Sequence, residues 1–213
     1  MGCIGEEVSL PLPESGTAVS TKRAGVFFDR DGTLNEDVDF LSHPDQLRII
    51  LGAIEAVGKV NHSGMAACII SNQSGIARGV FTESDLVPVH ERLTREFAAG
   101  GARFDRIDYC PHHPTAGLPP YRIDCDCRKP KPGMLLRAAE HLDLDLSRSF
   151  VIGDKLIDVQ AGQTVGARGI LVLTGYGLSS MAECRASGVT PAFIAPTVRE
   201  AVDFIMETVK ERS

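Results

Sequence analysis

Apolar and polar positions along this chain fall into two alternating rhythms. Runs at residues 24–28, 65–70, 149–152 and 169–173 consist almost wholly of Val, Ile, Leu, Phe and small residues. Such short continuous runs are the pattern of strands buried on both faces of a sheet. Residues 106–109 add a shorter strand. Between them, Ile54, Val57 and Val60 recur at helical spacing and stop at Gly64. Met134, Leu135, Ala138 and Ala139 do the same after Pro132-Gly133, and residues 197–211 read as a closing amphipathic helix. Thr82-Glu83-Ser84-Asp85 is a helix start, but Pro88 one turn later predicts a later beginning or a kink. Strands alternating with helices predict an α/β fold: a mostly parallel sheet in a three-layer sandwich. The chain has no internal repeat and no low-complexity tract.

Three of these strands end in polar residues: Asp29 and Asp31 after the first, Ser71-Asn72 after the second, Asp154 after the third. Asp31-Gly32 alone would pass for a solvated turn. In open parallel sheets, however, ligands sit outside the carboxyl ends of the strands, and three such ends share this bias. Side chains two apart on an extended chain point the same way, so Asp29 and Asp31 can face one cleft. If Asp154 and Asp158 join them, each close pair repels by about 4 kcal/mol at 4 Å and an effective dielectric near 20. A cation relieves that repulsion, and an all-oxygen set that also meets phosphate suits Mg²⁺. A carboxylate beside bound phosphate can attack phosphorus, and a second acid can protonate the leaving oxygen and later activate water. The transferring phosphoryl group needs fixed donors, for which Ser71 and Lys129 are the candidates.

Composition narrows the class. The 213 residues carry a net charge of -6, with 43% hydrophobic and 23% charged residues, as expected for one soluble domain. The acidic balance and the lack of a Lys/Arg run argue against a nucleic-acid partner. No apolar stretch approaches membrane-spanning length. Residues 1–22 lack the apolar core of a signal peptide, and Glu6 stands where a myristoylation site needs Ser or Thr. The expectation is a loosely ordered extension over 1–22, one domain over 23–213 and a cytoplasmic protein. Of six cysteines, Cys3, Cys68 and Cys184 are scattered, whereas Cys110, Cys125 and Cys127 cluster. With His112 or His113 they make a Cys₃His set able to close a tetrahedral Zn²⁺ site. Residues 115–120 have little apolar content, which favours metal as the organiser of that loop.

The motifs Asp29-Arg30-Asp31-Gly32-Thr33, Ser71-Asn72, Lys129 and Gly153-Asp154-Lys155-Leu156-Ile157-Asp158, in this order, resemble the haloacid dehalogenase superfamily. The resemblance spans roughly residues 24–175 and implies a Rossmann-like fold. It implies Asp29 as nucleophile, Asp31 as general acid/base, and Mg²⁺ held by Asp29, the Asp31 carbonyl and Asp154, with Asp158 acting from behind. Cys110-Pro111-His112-His113-Pro114, the Cys125-Asp126-Cys127-Arg128-Lys129-Pro130 segment and residues 72–79 are similar to the heptose bisphosphate phosphatases. That branch implies His112 as the fourth zinc ligand and a phosphorylated sugar as substrate, cleaved at the 7-phosphate of a heptose 1,7-bisphosphate. Histidinol-phosphate phosphatases share the zinc loop but continue differently after Asn-Gln. One departure is Asp39-Phe40-Leu41, where heptose phosphatases tend to have Gly-Tyr-Val.

The motif spacing leaves no room for a separate cap domain, so selection falls to Asp37, Val38, Asp39 and Phe40, to Asn72, Gln73 and Ser74, and to Arg128. The chain is expected to work as a monomer. A histidinol-phosphate phosphatase, a phosphotransferase and a zinc-organised binding module without catalysis are the rival functions.

Overall fold

The computed structural model describes residues 22–211, so the extension expected at 1–22 lies outside the described residues except for Lys22. Twelve elements alternate: β1 (Gly25–Phe28), α1 (Ala53–His62), β2 (Ala66–Asn72), α2 (Glu83–Ala99), β3 (Arg106–Cys110) and α3 (Gly133–Leu142), then β4 (Phe150–Gly153), α4 (Leu156–Thr164), β5 (Arg168–Val172), α5 (Gly177–Ser187), β6 (Phe193–Ala195) and α6 (Val198–Lys210). All six strands are parallel, in the order β3-β2-β1-β4-β5-β6. The order reverses between β1 and β4, and such a reversal opens a crevice at the carboxyl edge.

The two-residue period of the strands divides the core. Val26, Phe28, Ala67, Ile69, Ile152 and Ile170 pack on one face with the buried stripes of α1, α2 and α6. Phe27, Ala66, Cys68, Ile70 and Val151 pack on the other with Met134, Leu135 and Ala138 of α3 and Ala161 of α4. The sandwich is therefore three layers deep and Rossmann-like, and no second domain interrupts the described residues.

The later beginning expected for the helix that carries Pro88 is corrected. Helix α2 begins at Glu83, directly after Thr82, and runs through Pro88. The Asp85 carboxylate accepts from the Thr82 amide at 2.7 Å and from its hydroxyl at 2.8 Å, satisfying donors of the first turn. Pro88 removes only the bond to the carbonyl of Ser84, an exposed residue. Leu86, Val89, Leu93 and Phe97 then anchor the helix on the sheet.

Among the described residues, no helix is long and apolar enough to cross a membrane.

Candidate active site

Asp29 leaves β1 still in register, its amide donating to the Ile152 carbonyl at 2.8 Å. The turn that follows is tight against β4. Gly32 has φ +84°, and a Cβ there would lie 2.3 Å from Asp154 Oδ2, so only glycine fits. This approach brings Asp29, Asp154 and Asp158 together, all buried, with carboxylate oxygens within 4.8 Å of one another. Lys129 enters from the segment before α3. Its Nζ lies 2.8 Å from Asp29 Oδ1 and 2.7 Å from Asp158 Oδ1, and donates to the Ile70 carbonyl at 2.7 Å. Burial works against the ammonium, yet Asp158 and Asp29 outweigh it and hold its pKa above the ordinary lysine value.

Lys129 alone does not balance three buried carboxylates, and the next cation, Lys155 Nζ, stands 3.9 Å from Asp154 Oδ1. Asp154 Oδ2 accepts from the Tyr176 amide at 2.8 Å, but Oδ1 has no hydrogen-bond partner. Burial first, then the Asp29 charge, pushes the Asp154 carboxyl up to about 8. Burial likewise raises Asp158. A buried oxygen that accepts no hydrogen bond, set among other oxygen donors, fits a hard divalent cation such as Mg²⁺, which inverts this repulsion.

Asp31 stands differently. Its carboxylate accepts from Arg30 Nε at 3.0 Å and Nη2 at 2.8 Å, from Asn35 at 2.9 Å and from Gln73 at 2.9 Å. Burial favours its neutral form, but the Arg30 charge and these bonds prevail and hold it below the usual aspartate range. Gln73 also donates to Ser71 Oγ at 2.7 Å, so one amide ties the ends of β1 and β2 together. Asn72 grips Lys129 from both sides: its Oδ1 accepts from the Lys129 amide at 3.1 Å and its Nδ2 donates to the Lys129 carbonyl at 3.1 Å.

The cleft above these groups is walled by Asp29, Asp31, Ser71, Lys129 and Asp158, and by the selection candidates Asp37, Asp39, Phe40, Asn72, Gln73 and Ser74. Val38 and Arg128 stand outside that wall. Arg128 is half-buried, and its Nη1 donates to the His112 carbonyl at 3.1 Å. Lys155 is a wall residue that the motif reading passed over. Its Nζ lies 3.0 Å from Asp37 Oδ2 and 4.8 Å from the Tyr176 ring centre. Burial opposes its charge, but Asp29, Asp154 and Asp37 raise its pKa. Its place between Asp154 and Asp158 was the available signal.

The Cys₃His set also converges. Sulfur–sulfur distances among Cys110, Cys125 and Cys127 are 3.5, 3.2 and 3.3 Å, and His112 Nδ1 lies 3.4 Å from Cys127 Sγ. These lengths approach the roughly 3.8 Å edge of a tetrahedron with about 2.3 Å arms, the Zn–S distance. His113 faces elsewhere, its Nδ1 accepting from the Ala116 amide at 2.9 Å. The loop has a second anchor that the sequence reading missed. Tyr121 donates to Glu83 Oε1 at 2.6 Å beside Tyr109, which donates to Oε2 at 2.6 Å, and its ring packs on Ile76, Phe81 and Leu86.

A HAD-hydrolase-like family model matches residues 126–201. The D-glycero-β-D-manno-heptose-1,7-bisphosphate 7-phosphatase of Photorhabdus laumondii is 44% identical over 160 residues, 74% of this chain and 85% of that protein. The Escherichia coli K12 protein of the same name is 42% identical over 166 residues, 77% of this chain and 86% of that protein. Among solved structures, the D,D-heptose 1,7-bisphosphate phosphatase of B. bronchiseptica, complexed with magnesium and phosphate, superposes with a TM-score of 0.76. It is 31% identical and covers 87% of this chain and 99% of its own.

Proposed function

The chain belongs to the heptose-1,7-bisphosphate 7-phosphatase family of haloacid dehalogenase enzymes and is a phosphoric monoester hydrolase; from that premise we propose that it removes the 7-phosphate of D-glycero-β-D-manno-heptose 1,7-bisphosphate through an aspartyl-phosphate. The observation that carries this reading is the Asp29 carboxylate, held 2.8 Å from Lys129 Nζ at the floor of an open cleft.

A phosphate entering the cleft meets Lys129 and Ser71, which offset its spread-out negative charge. The free Asp29 oxygen attacks phosphorus, the bond to the C7 oxygen breaks, and Asp31 delivers a proton to that oxygen. The incoming dianion favours the protonated form of Asp31. Asp31, now ionised, takes a proton from water, which attacks the aspartyl-phosphate and releases inorganic phosphate. Asp29, the Asp31 carbonyl and Asp154 would hold Mg²⁺, whose charge screens the phosphate from the carboxylates. Cys110, His112, Cys125 and Cys127 would hold a structural Zn²⁺. Sugar contacts are assigned to Asp37, Asp39, Phe40, Asn72, Gln73 and Ser74, which line the cleft, with Val38 and Arg128 beyond its wall. This reading places a monomeric enzyme in the cytoplasm, where thiolate zinc ligands stay reduced.

Phosphate release from a panel containing the heptose bisphosphate and histidinol phosphate tests the substrate. The heptose compound should have the highest kcat/KM, and a preference for histidinol phosphate would overturn the assignment. Asp29→Asn should abolish turnover in a folded protein, because an amide cannot form the acyl-phosphate. Wild-type kcat in that variant would sink the mechanism.

A further inference from the structure

Arg30 is the largest side chain with no exposed surface. A guanidinium cannot be deprotonated at ordinary pH, so its burial demands full pairing. Two of its nitrogens, Nε and Nη2, hold the Asp31 carboxylate in a two-pronged clasp at 3.0 and 2.8 Å. The remaining one, Nη1, lies 3.3 Å from Nε2 of His90, a half-buried residue on α2, sixty positions away in sequence. Burial first, then the neighbouring Arg30 charge, lowers the His90 pKa to about 4. The ring is therefore neutral and can accept at Nε2 from the donor-only guanidinium. Its far side meets the Tyr109 ring, with centres 5.8 Å apart.

We propose that His90 is a positioning residue for the reaction: by accepting from Arg30, it fixes the clasp that aims the Asp31 carboxylate at the leaving oxygen. This rests on the role of Asp31 as general acid. Neither His90 nor Arg30 walls the cleft, so neither touches substrate. Asn35 and Gln73 hold Asp31 from other directions, but each makes a single neutral contact to one carboxylate oxygen. A planar two-point clasp fixes orientation as well as distance.

The consequence is selective. An alkyl phosphate has a poor leaving group and needs the proton that Asp31 delivers. A 4-nitrophenyl phosphate has a leaving group stable without protonation, and it needs only Asp29 and the phosphate donors. Acid catalysis is worth about 10²–10⁴-fold, and a misplacement of about 1 Å costs up to about 10²-fold. His90→Leu should therefore lower kcat/KM for the best alkyl phosphate about 10-fold, and Arg30→Lys about 10²-fold. Each should leave kcat/KM for 4-nitrophenyl phosphate within about twofold, since that substrate bypasses the acid. His90→Gln, whose amide oxygen still accepts, should restore the alkyl rate toward wild type.

Asp31→Asn calibrates the comparison. If it shows the large alkyl-to-aryl split while His90→Leu and Arg30→Lys slow both substrates equally or neither, the positioning role is wrong and the acid stands. If Asp31→Asn itself shows no split, the acid assignment fails and takes the inference with it. Circular dichroism of each variant confirms a folded protein. Arg30→Lys reads the same ratio independently of any packing defect at His90.

Discussion

Asp154 has one carboxylate oxygen that accepts from a backbone amide and one that accepts from nothing. Without a cation, the native protein keeps a proton on it up to about pH 8, whereas the unfolded chain releases it near 3.8. The native state thus binds more protons across that window, so stability contributed by this group is full below the lower value and lost as pH rises through the upper one. Mg²⁺ competes with the proton and should offset the loss. With zinc retained and Mg²⁺ withdrawn, Tm should fall as pH rises from 5 toward 8. Added Mg²⁺ should raise Tm more at pH 8 than at pH 6, and Asp154→Asn should flatten both trends. A Tm increment from Mg²⁺ that does not depend on pH would show that the ion binds elsewhere. At this scale part of the geometry was legible: Asp29, Asp31 and Asp158 line the cleft and Asp154 lies buried beside Asp29, because motif spacing reflects where strands end. Asn72, expected among the selecting residues, lines the cleft while its amide also holds the Lys129 main chain. Lys155 carried a signal only in its place between Asp154 and Asp158, and His90 carried none, since tertiary packing alone brings it to Arg30.

The segment between β3 and α3 shows how elements share one task. Residues 115–120 have little apolar content, which made metal the natural organiser. Tyr121, just beyond them, adds the Glu83 anchor. At Gly117 a Cβ would lie 1.6 Å from the Ala77 carbonyl oxygen, so the loop lies flat on the turn after β2. Loss of a zinc ligand should free residues 125–128 first, while the Asn72 grip still restrains Lys129. Cys127→Ser should therefore lower kcat/KM by roughly 10–10²-fold, with near-native circular dichroism. Adding Asn72→Ala should cost more than the product of the single effects, because each restraint hides the loss of the other. Strict additivity of the logarithms would mean that Lys129 does not depend on the loop. The elements that went unread share a physical reason. Helix α5 buries only Gly177, Ser180 and Cys184, and α4 buries Asp158 and Gly162 beside Val159 and Ala161, so neither shows an apolar stripe. Strand β6 is three residues long, too short for a period to emerge.

For the whole molecule, the sheet divides labour along its strands. The apolar stretches of β1, β2 and β4 sit between helices on both faces, and only their carboxyl ends carry chemistry. This separation was legible from the alternation of strand and helix patterns. Stability and activity should then respond to different substitutions. Leu93, on the buried face of α2, lies in the core, and Leu93→Ala should cost about 2–5 kcal/mol through lost contacts and a cavity. In a chain of this size that lowers Tm by on the order of 10 °C, with kcat/KM at 25 °C within about twofold of wild type, as befits a residue outside the cleft. Gly32→Ala should do the opposite. Its φ of +84° disfavours a side chain, and the new Cβ would meet the Asp154 carboxylate at 2.3 Å. The backbone strain is worth only about 1–2 kcal/mol, but the turn that aims Asp29 and Asp31 must shift. A displacement of about 1 Å there costs about 10²-fold in kcat/KM. Thermal melts and kinetics on the two variants read the two axes separately. A Leu93→Ala enzyme that lost activity in step with stability would mean that the catalytic edge depends on packing of the whole sheet, and not on the turns at its strand ends.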